Sequence, residues 1–398
     1  MVQRYGAEVA GGAEALCRST ARALAAAGDE VHVYTSTARD YLTWAPYFAA
    51  GTSTDEGVVV HRFTADAADP QRSGDLVRRL SLGLGDAATE DEWARAQGPV
   101  LPGMLAALAG AGRRHEVVAL WTYLYATAQL AMPLVADRAV LVPLAHDEPM
   151  LRFGLSRGLV RLAAGLAFLT PEERRLVDEL HDIAGRPHAI VGAGLDPAAP
   201  GDRALARAAV PGLPARFALY VGRVDAAKGL GALVDAHAAY RAAGGTLDLV
   251  LAGRPAGAMH LPDWVLTTGF VTDEVRAGLL EAAEVVVLPS PHESLSLVAL
   301  EAWRAGRPTL ANGASEVLAG QSARSGGGLL YLDATSYGRQ LARLAADPGL
   351  RAGLGEAGTA FAAAADWPAC VRRWRSLLAR VRRPLHGPGP ADPHGPRR

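Results

Sequence analysis

Lysine is all but missing from this chain: of 40 lysine and arginine residues among 398, Lys228 is the only lysine. A chemistry that needs pyridoxal phosphate on a lysine therefore has no spare residue to use. Cysteine is almost as scarce. Cys17 and Cys370 lack metal-ligand spacing and cannot build a disulfide framework, which fits a reducing cytoplasm. No charge excess exists either: the net charge of −1 gives no reason to expect nucleic acid or another polyanion as partner. Long apolar runs are lacking too. Residues 101–111 and 159–169 fall well short of the roughly 18 apolar residues a membrane span requires, and no secretory signal stands out.

What is present is a regular alternation of strand and helix signals. At this length two domains are expected rather than one core. In the first half, Gly11-Gly12 opens a helix over 13–27, and 30–35, 58–63, 116–121 and 139–144 read as short strands. Thr170-Pro171-Glu172-Glu173 reads as a helix start, with a cap, a first-turn proline and acids facing the positive end of the dipole. The second half repeats this, with strands at 217–221, 247–251 and 285–288, a short one up to Gly269-Phe270, and helices at 230–243 and from Thr272. This grammar predicts an α/β protein of two Rossmann-like, doubly wound units. The join lies near Asp196 and in the Pro/Ala/Gly-rich segment to about Pro214. The expected division is an N-terminal domain over 1–196, a C-terminal domain over 197–366, a last amphipathic helix within 367–383, and a tail at 384–398 too poor in apolar surface to fold.

The chemistry concentrates at strand ends, where ligands of open α/β sheets bind. The segment Pro289-Ser-Pro-His-Glu293-Ser-Leu-Ser296-Leu297-Val298-Ala-Leu-Glu301 leaves a buried strand, breaks at two prolines and enters a helix capped by Ser296. Glu293 falls in the loop and Glu301 inside the helix. The N–H groups of Ser296, Leu297 and Val298 form a helix N-terminus open to an anion. Two carboxylates suit sugar hydroxyls and the N-terminus suits phosphate, although such a pair alone could equally be a solvated helix face. Upstream, Gly222-Arg223 and Lys228-Gly229 flank another strand-to-helix turn. A lysine at a helix start works against the dipole unless an anion is near, so Arg223 and Lys228 read as a phosphate clamp. Gly11-Gly12 lets a ligand approach the backbone or is a plain turn. His146 is a candidate by its place after the strand at 139–144.

With these residues in hand, the chain resembles the retaining glycosyltransferases of family 4 (glycosyl transferases group 1), over about residues 1 to 382. The resemblance implies the GT-B fold, two Rossmann-like domains facing across a cleft with a C-terminal helix crossing back. It also implies a sugar moved from a UDP- or GDP-sugar to an acceptor glycan, glycolipid or small molecule, with no cofactor or obligatory metal beyond the nucleotide-sugar co-substrate. Under it, Arg223 and Lys228 hold the diphosphate, Glu301 the ribose, and Glu293 faces the transferred sugar. Gly222 lies in the same turn, Phe270 and Val271 lie against the base, and Ser296, Leu297 and Val298 offer backbone contacts. Gly11, Gly12 and His146 approach from the other domain, and residues 312–316 match the loop near the donor. Two departures are that Ser294-Leu295-Ser296 stands where family members carry proline, an aromatic and glycine, and that the usual first strand before Gly11-Gly12 is reduced to Met1-Val2-Gln3, which predicts a start a few residues upstream.

The same architecture also serves sugar-nucleotide epimerases, and the same clamp would serve a non-catalytic nucleotide-sugar-binding protein. The acceptor is expected on the N-terminal domain, where 41–54 and 65–85 read as long polar loops. Arg152, Arg157 and Arg161 recur along an apolar segment. That pattern fits peripheral contact with anionic lipid on the inner membrane face, or more simply a core helix with arginines at its rim. The aromatics at 41–44 and 121–125 fit sugar stacking or, more simply, core packing.

Overall fold

The computed structural model describes residues 1–9, 11–110, 115–197, 201–255 and 259–382, so the tail at 384–398 lies outside it. In the N-terminal half, β1 (His32–Ser36) pairs in parallel with β3 (Val58–Phe63), which carries β2 (Gly51–Asp55) antiparallel on its far side. A second group runs parallel in chain order: β4 (Val118–Trp121), β5 (Ala139–Val142), β6 (Gly165–Phe168) and β7 (His188–Ile190). Residues 1–3 bridge the two groups. The Val2 N–H donates to Tyr34 O at 3.2 Å, and the Trp121 N–H donates to Met1 O at 3.0 Å. Three residues thus do the pairing of a strand.

The C-terminal half is one six-stranded parallel sheet: β8 (Phe217–Val221), β9 (Asp248–Ala252), β10 (Leu266–Gly269), β11 (Val285–Leu288), β12 (Thr309–Asn312) and β13 (Gly328–Tyr331). Its spatial order is β10-β9-β8-β11-β12-β13, so the winding reverses between β8 and β11. β11 reads Val-Val-Val-Leu and is buried along its length, as a strand covered by helices on both faces must be. One core lies on each side of this sheet; Trp303 fills one and Tyr337 the other. The last helix, Trp367–Val381, packs Cys370, Trp374, Leu377 and Val381 into the N-terminal core beside Cys17. The chain therefore crosses back to the domain where it began. Among the described residues no helix is long and apolar enough to cross a membrane.

Three regions depart from the sequence reading. The stretch 65–85, expected as a loop, contains the helix Pro70–Ser81, capped by Asp69, which accepts the Arg72 N–H at 2.9 Å. Only Leu76 of that helix is buried, so its apolar period is hard to read. Within 41–54, the last residues belong to β2, whose first four positions are exposed. The segment before Pro214 is no bare linker: it forms the helix Arg203–Ala209, which sends Ala206 into the C-terminal core. The arginine-bearing segment 152–161 takes the simpler of its two readings. Leu159 and Val160 face the core from the helix Gly154–Leu162, while Arg157 and Arg161 lie outside.

Candidate active site

The winding reversal between β8 and β11 opens a crevice at the carboxyl ends of these strands. Beyond β8 the chain turns at Gly222 and meets the turn after β9, where the Val224 N–H donates to Arg254 O at 2.9 Å. Gly229 then takes the left-handed conformation, φ 76°, and a Cβ there would lie 2.5 Å from Pro289 O. Only glycine lets the start of the helix Leu230–Ala242 pass so close under the loop that follows β11. That approach joins two motifs far apart in sequence: Lys228 Nζ stands 3.0 Å from Glu293 Oε1. Arg223 Nη2 is 3.5 Å from Asp225 Oδ2, and its side chain is 35 % exposed.

The loop after β11 is braced from beneath. Asn312 Nδ2 donates to Pro289 O at 3.0 Å and Ser290 Oγ to His292 O at 2.9 Å. Ser296 caps the helix Leu297–Arg304 as expected, its Oγ accepting the Ala299 N–H at 3.2 Å. Its own N–H is not open to an anion, contrary to the sequence reading: it donates to Gln321 Oε1 at 2.9 Å, and Gln321 Nε2 donates back to Ser296 O at 3.4 Å. Of the three N–H groups named for this helix start, those of Leu297 and Val298 remain candidates for an anion. Leu295, where the family pattern has an aromatic, packs against both domain cores together with Leu297. One turn on, Glu301 Oε2 meets Arg276 Nη1 at 2.5 Å. Phe270 is 67 % exposed, with the Arg254 guanidinium 4.5 Å from its ring centre, and Val271 packs on the core.

The N-terminal domain supplies the opposite wall. His146 Nδ1 lies 3.7 Å from Glu148 Oε1, and its ring centre is 6.2 Å from that of His292 across the crevice. Burial would raise the Glu148 pKa, but the close approach of His146, the hydrogen bond from the Tyr123 hydroxyl and the nearby His292 hold it below the usual range. Behind His146, the fully buried Glu173 accepts the N–H groups of Ala145 and Leu169 at 2.9 and 2.6 Å. Burial pushes its pKa up to about 7 against those bonds. The glycine pair behaves unequally. The space beside Gly11 is filled by the Glu14 carboxylate, which is buried against Arg4 and takes the Gln3 amide at 2.9 Å. Gly12 faces open space. Of the aromatics, Trp44, Trp121 and Tyr123 are core residues, whereas Tyr41 stands between two guanidinium groups, Arg4 at 5.3 Å and Arg223 at 5.4 Å. Thr170 Oγ1 closes the seam by donating to Ser294 O at 3.0 Å.

The sequence reading thus named Arg223, Lys228, Glu293, Ser296 and Glu301, which the fold gathers along one wall, with His146 opposite. It gave no role at the site to Arg254, Arg276, His292, Glu148, Glu173 and Gln321. Arg254 and His292 carried a usable signal, since both follow a buried strand at its carboxyl end. Glu148 and Glu173 carried the same signal, lying just beyond the buried strands β5 and β6, whereas Arg276 and Gln321 reach in from helices and carried none. Among the described residues no group of three or more His, Cys, Asp or Glu is placed to hold a metal ion.

Known proteins resemble the chain in sequence over its C-terminal half and in fold over most of its length. Residues 215–347 match the model of the family described as Glycosyl transferases group 1. The D-inositol 3-phosphate glycosyltransferase of Salinispora arenicola is 34 % identical over 198 residues, 44 % of this chain and 44 % of that protein. The alpha-D-kanosaminyltransferase of Streptomyces kanamyceticus is 38 % identical over 103 residues, 24 % of this chain and 27 % of that protein. The chain thus spans less than half the length of these curated relatives. Among solved structures, sucrose-phosphate synthase from Thermosynechococcus elongatus superposes with a TM-score of 0.70 at 21 % identity, covering 96 % of each chain. Anabaena HepE in complex with UDP and glucose gives 0.65 at 17 %, covering 93 % of this chain and 96 % of its own. Residues 215–347 are a group 1 glycosyl transferase domain, and the chain as a whole has the GT-B fold.

Proposed function

We propose that the chain is a retaining glycosyltransferase that moves a sugar from a UDP- or GDP-sugar to an acceptor hydroxyl on a glycan, a glycolipid or a small molecule. One observation carries the reading: the Lys228–Glu293 pair at 3.0 Å, set at the winding reversal beside Arg223 and the start of the helix Leu297–Arg304. Breaking the anomeric C–O bond leaves negative charge on the diphosphate and positive charge on the sugar ring. Lys228, Arg223 and the N–H groups of Leu297 and Val298 stabilise the first, in the manner of preorganised donors aimed at developing charge. An ammonium has three donors, so Lys228 can keep Glu293 and still reach a phosphate. That arrangement holds the Glu293 carboxylate against the transferred sugar. Glu301 takes the ribose, Phe270 and Arg254 the base, and Gly12 and His146 face the donor from the N-terminal wall. Anabaena HepE, one of the structures of the same fold, is solved in complex with UDP and glucose.

The test begins with a thermal-shift screen of UDP- and GDP-sugars, followed by product analysis with and without acceptors. Transfer with retained anomeric configuration supports the reading. Conversion of the donor without acceptor would make the protein an epimerase, and binding without turnover would make it a nucleotide-sugar-binding protein.

A further inference from the structure

We infer that Arg276 is a positioning residue that aims Glu301 at the ribose and so sets the preference of this site for ribose over deoxyribose. The inference rests on the ribose role of Glu301 proposed above. Arg276 stands in the first turn of the helix Asp273–Ala282, and its guanidinium reaches both Asp273 Oδ1 at 3.2 Å and Glu301 Oε2 at 2.5 Å. The two outer partners differ: the Asp273 side chain is 80 % exposed and that of Glu301 only 16 %. The guanidinium is thus anchored at the surface by one carboxylate and holds the other at the crevice.

Two physical consequences follow. A glutamate side chain has three rotatable torsions, and an unheld Glu301 would lose that freedom on closing onto a diol. With Oε2 held by Arg276, Oε1 is left to accept from the ligand before the ligand arrives. Glu301 also brings a negative charge to the place where an anionic nucleotide must lie, and Arg276 offsets it at contact distance. Burial alone would make the guanidinium less basic, and the Glu301 and Asp273 carboxylates together outweigh that effect. A plain brace between two helices would share the ion pair but would have no bearing on the 2′ and 3′ hydroxyls.

Calorimetry on the full chain decides between these. UDP and GDP are each compared with their 2′-deoxy and 3′-deoxy counterparts on the wild-type protein, Arg276→Ala and Arg276→Lys. Wild type should favour the ribose form of its nucleotide by about tenfold or more, the loss expected for one hydrogen bond to a charged group. In Arg276→Ala that preference should fall to within about twofold, with Arg276→Lys in between because it keeps the charge and loses the fork. A preference unchanged in both variants overturns the inference, even if all affinities fall together. Should Arg276→Ala not fold, Arg276→Lys decides alone. A wild-type protein that binds nucleotide without ribose preference removes Glu301 from the ribose and this role of Arg276 with it, while leaving the diphosphate clamp standing. Failure of both UDP and GDP to bind overturns the proposed function itself.

Discussion

At the scale of single residues, the lone lysine matters most. Every other strong base in this chain is arginine, yet Lys228 meets Glu293. An ammonium is a compact charge whose donors can be shared between a carboxylate and a phosphate, whereas a guanidinium in the same place would lock onto Glu293 with its planar fork. Lys228→Ala should therefore weaken nucleotide binding by more than tenfold, at about 1.5–3 kcal/mol for a charge-assisted contact. Lys228→Arg should recover only part of this, and calorimetry with UDP or GDP reads both. The two glutamates should separate. Glu301→Ala should weaken the bare nucleotide, and Glu293→Ala should leave it nearly unchanged while reducing sugar transfer. Equal loss of nucleotide affinity in both would remove the division of roles. These residues were legible because each sits at a strand end beside a helix start. Arg276 and Gln321 were not, since a residue reaching in from the far side of another helix leaves no local pattern.

At the scale of elements, legibility follows burial. The strands Phe217–Val221 and Val285–Leu288 and the helix Trp367–Val381 fall where the sequence places them, because each has a long buried face. The helix Pro70–Ser81 did not, and neither did the antiparallel β2, since one rests on a single buried leucine and the other on almost nothing. The helix Glu316–Ser325 shows what an element can do that its own sequence does not announce. Gln321 on it holds the N–H and the carbonyl of Ser296, and Arg324 on it pairs with Glu172 of the N-terminal domain at 3.1 Å. It ties the loop of Glu293 to the opposite half of the molecule. Gln321→Leu keeps the volume and removes both bonds, leaving the buried Ser296 N–H without a partner. Urea unfolding should show a loss of about 1–3 kcal/mol, the desolvation cost of such a group. An unchanged midpoint would mean that water or a shifted loop satisfies Ser296 instead.

At the scale of the whole molecule, charge and burial together set the response to acid. Among the described residues four histidines are less basic than free imidazole, each first because it is buried: His61, His115, His181 and, most strongly, His237, brought down to about 4. His237 is enclosed between Tyr337 at 2.8 Å and Leu247 O at 3.0 Å. An unfolded chain takes up a proton at such a residue near pH 6.5, whereas the folded protein refuses it until about pH 4. Stability from these groups is thus intact above the unfolded pKa and drains away as the pH falls through that window, by about 3 kcal/mol at most for His237 alone. Glu173 acts in the opposite sense. Its folded pKa of about 7 lies above that of a free glutamate, so the folded state holds the proton more tightly, and that contribution is lost as the pH rises toward 7. His237 and Glu173 thus oppose each other with shifts of similar size, and the net loss on acidification comes from His61, His115 and His181. The melting temperature should therefore fall from pH 7 to pH 4.5, measured at constant ionic strength. His237→Gln can still donate to Leu247 O but cannot titrate, so it should melt lower at pH 7 and lose less on going to pH 4.5. A variant with the same acid sensitivity as wild type would show that the buried imidazole is not where the proton is refused.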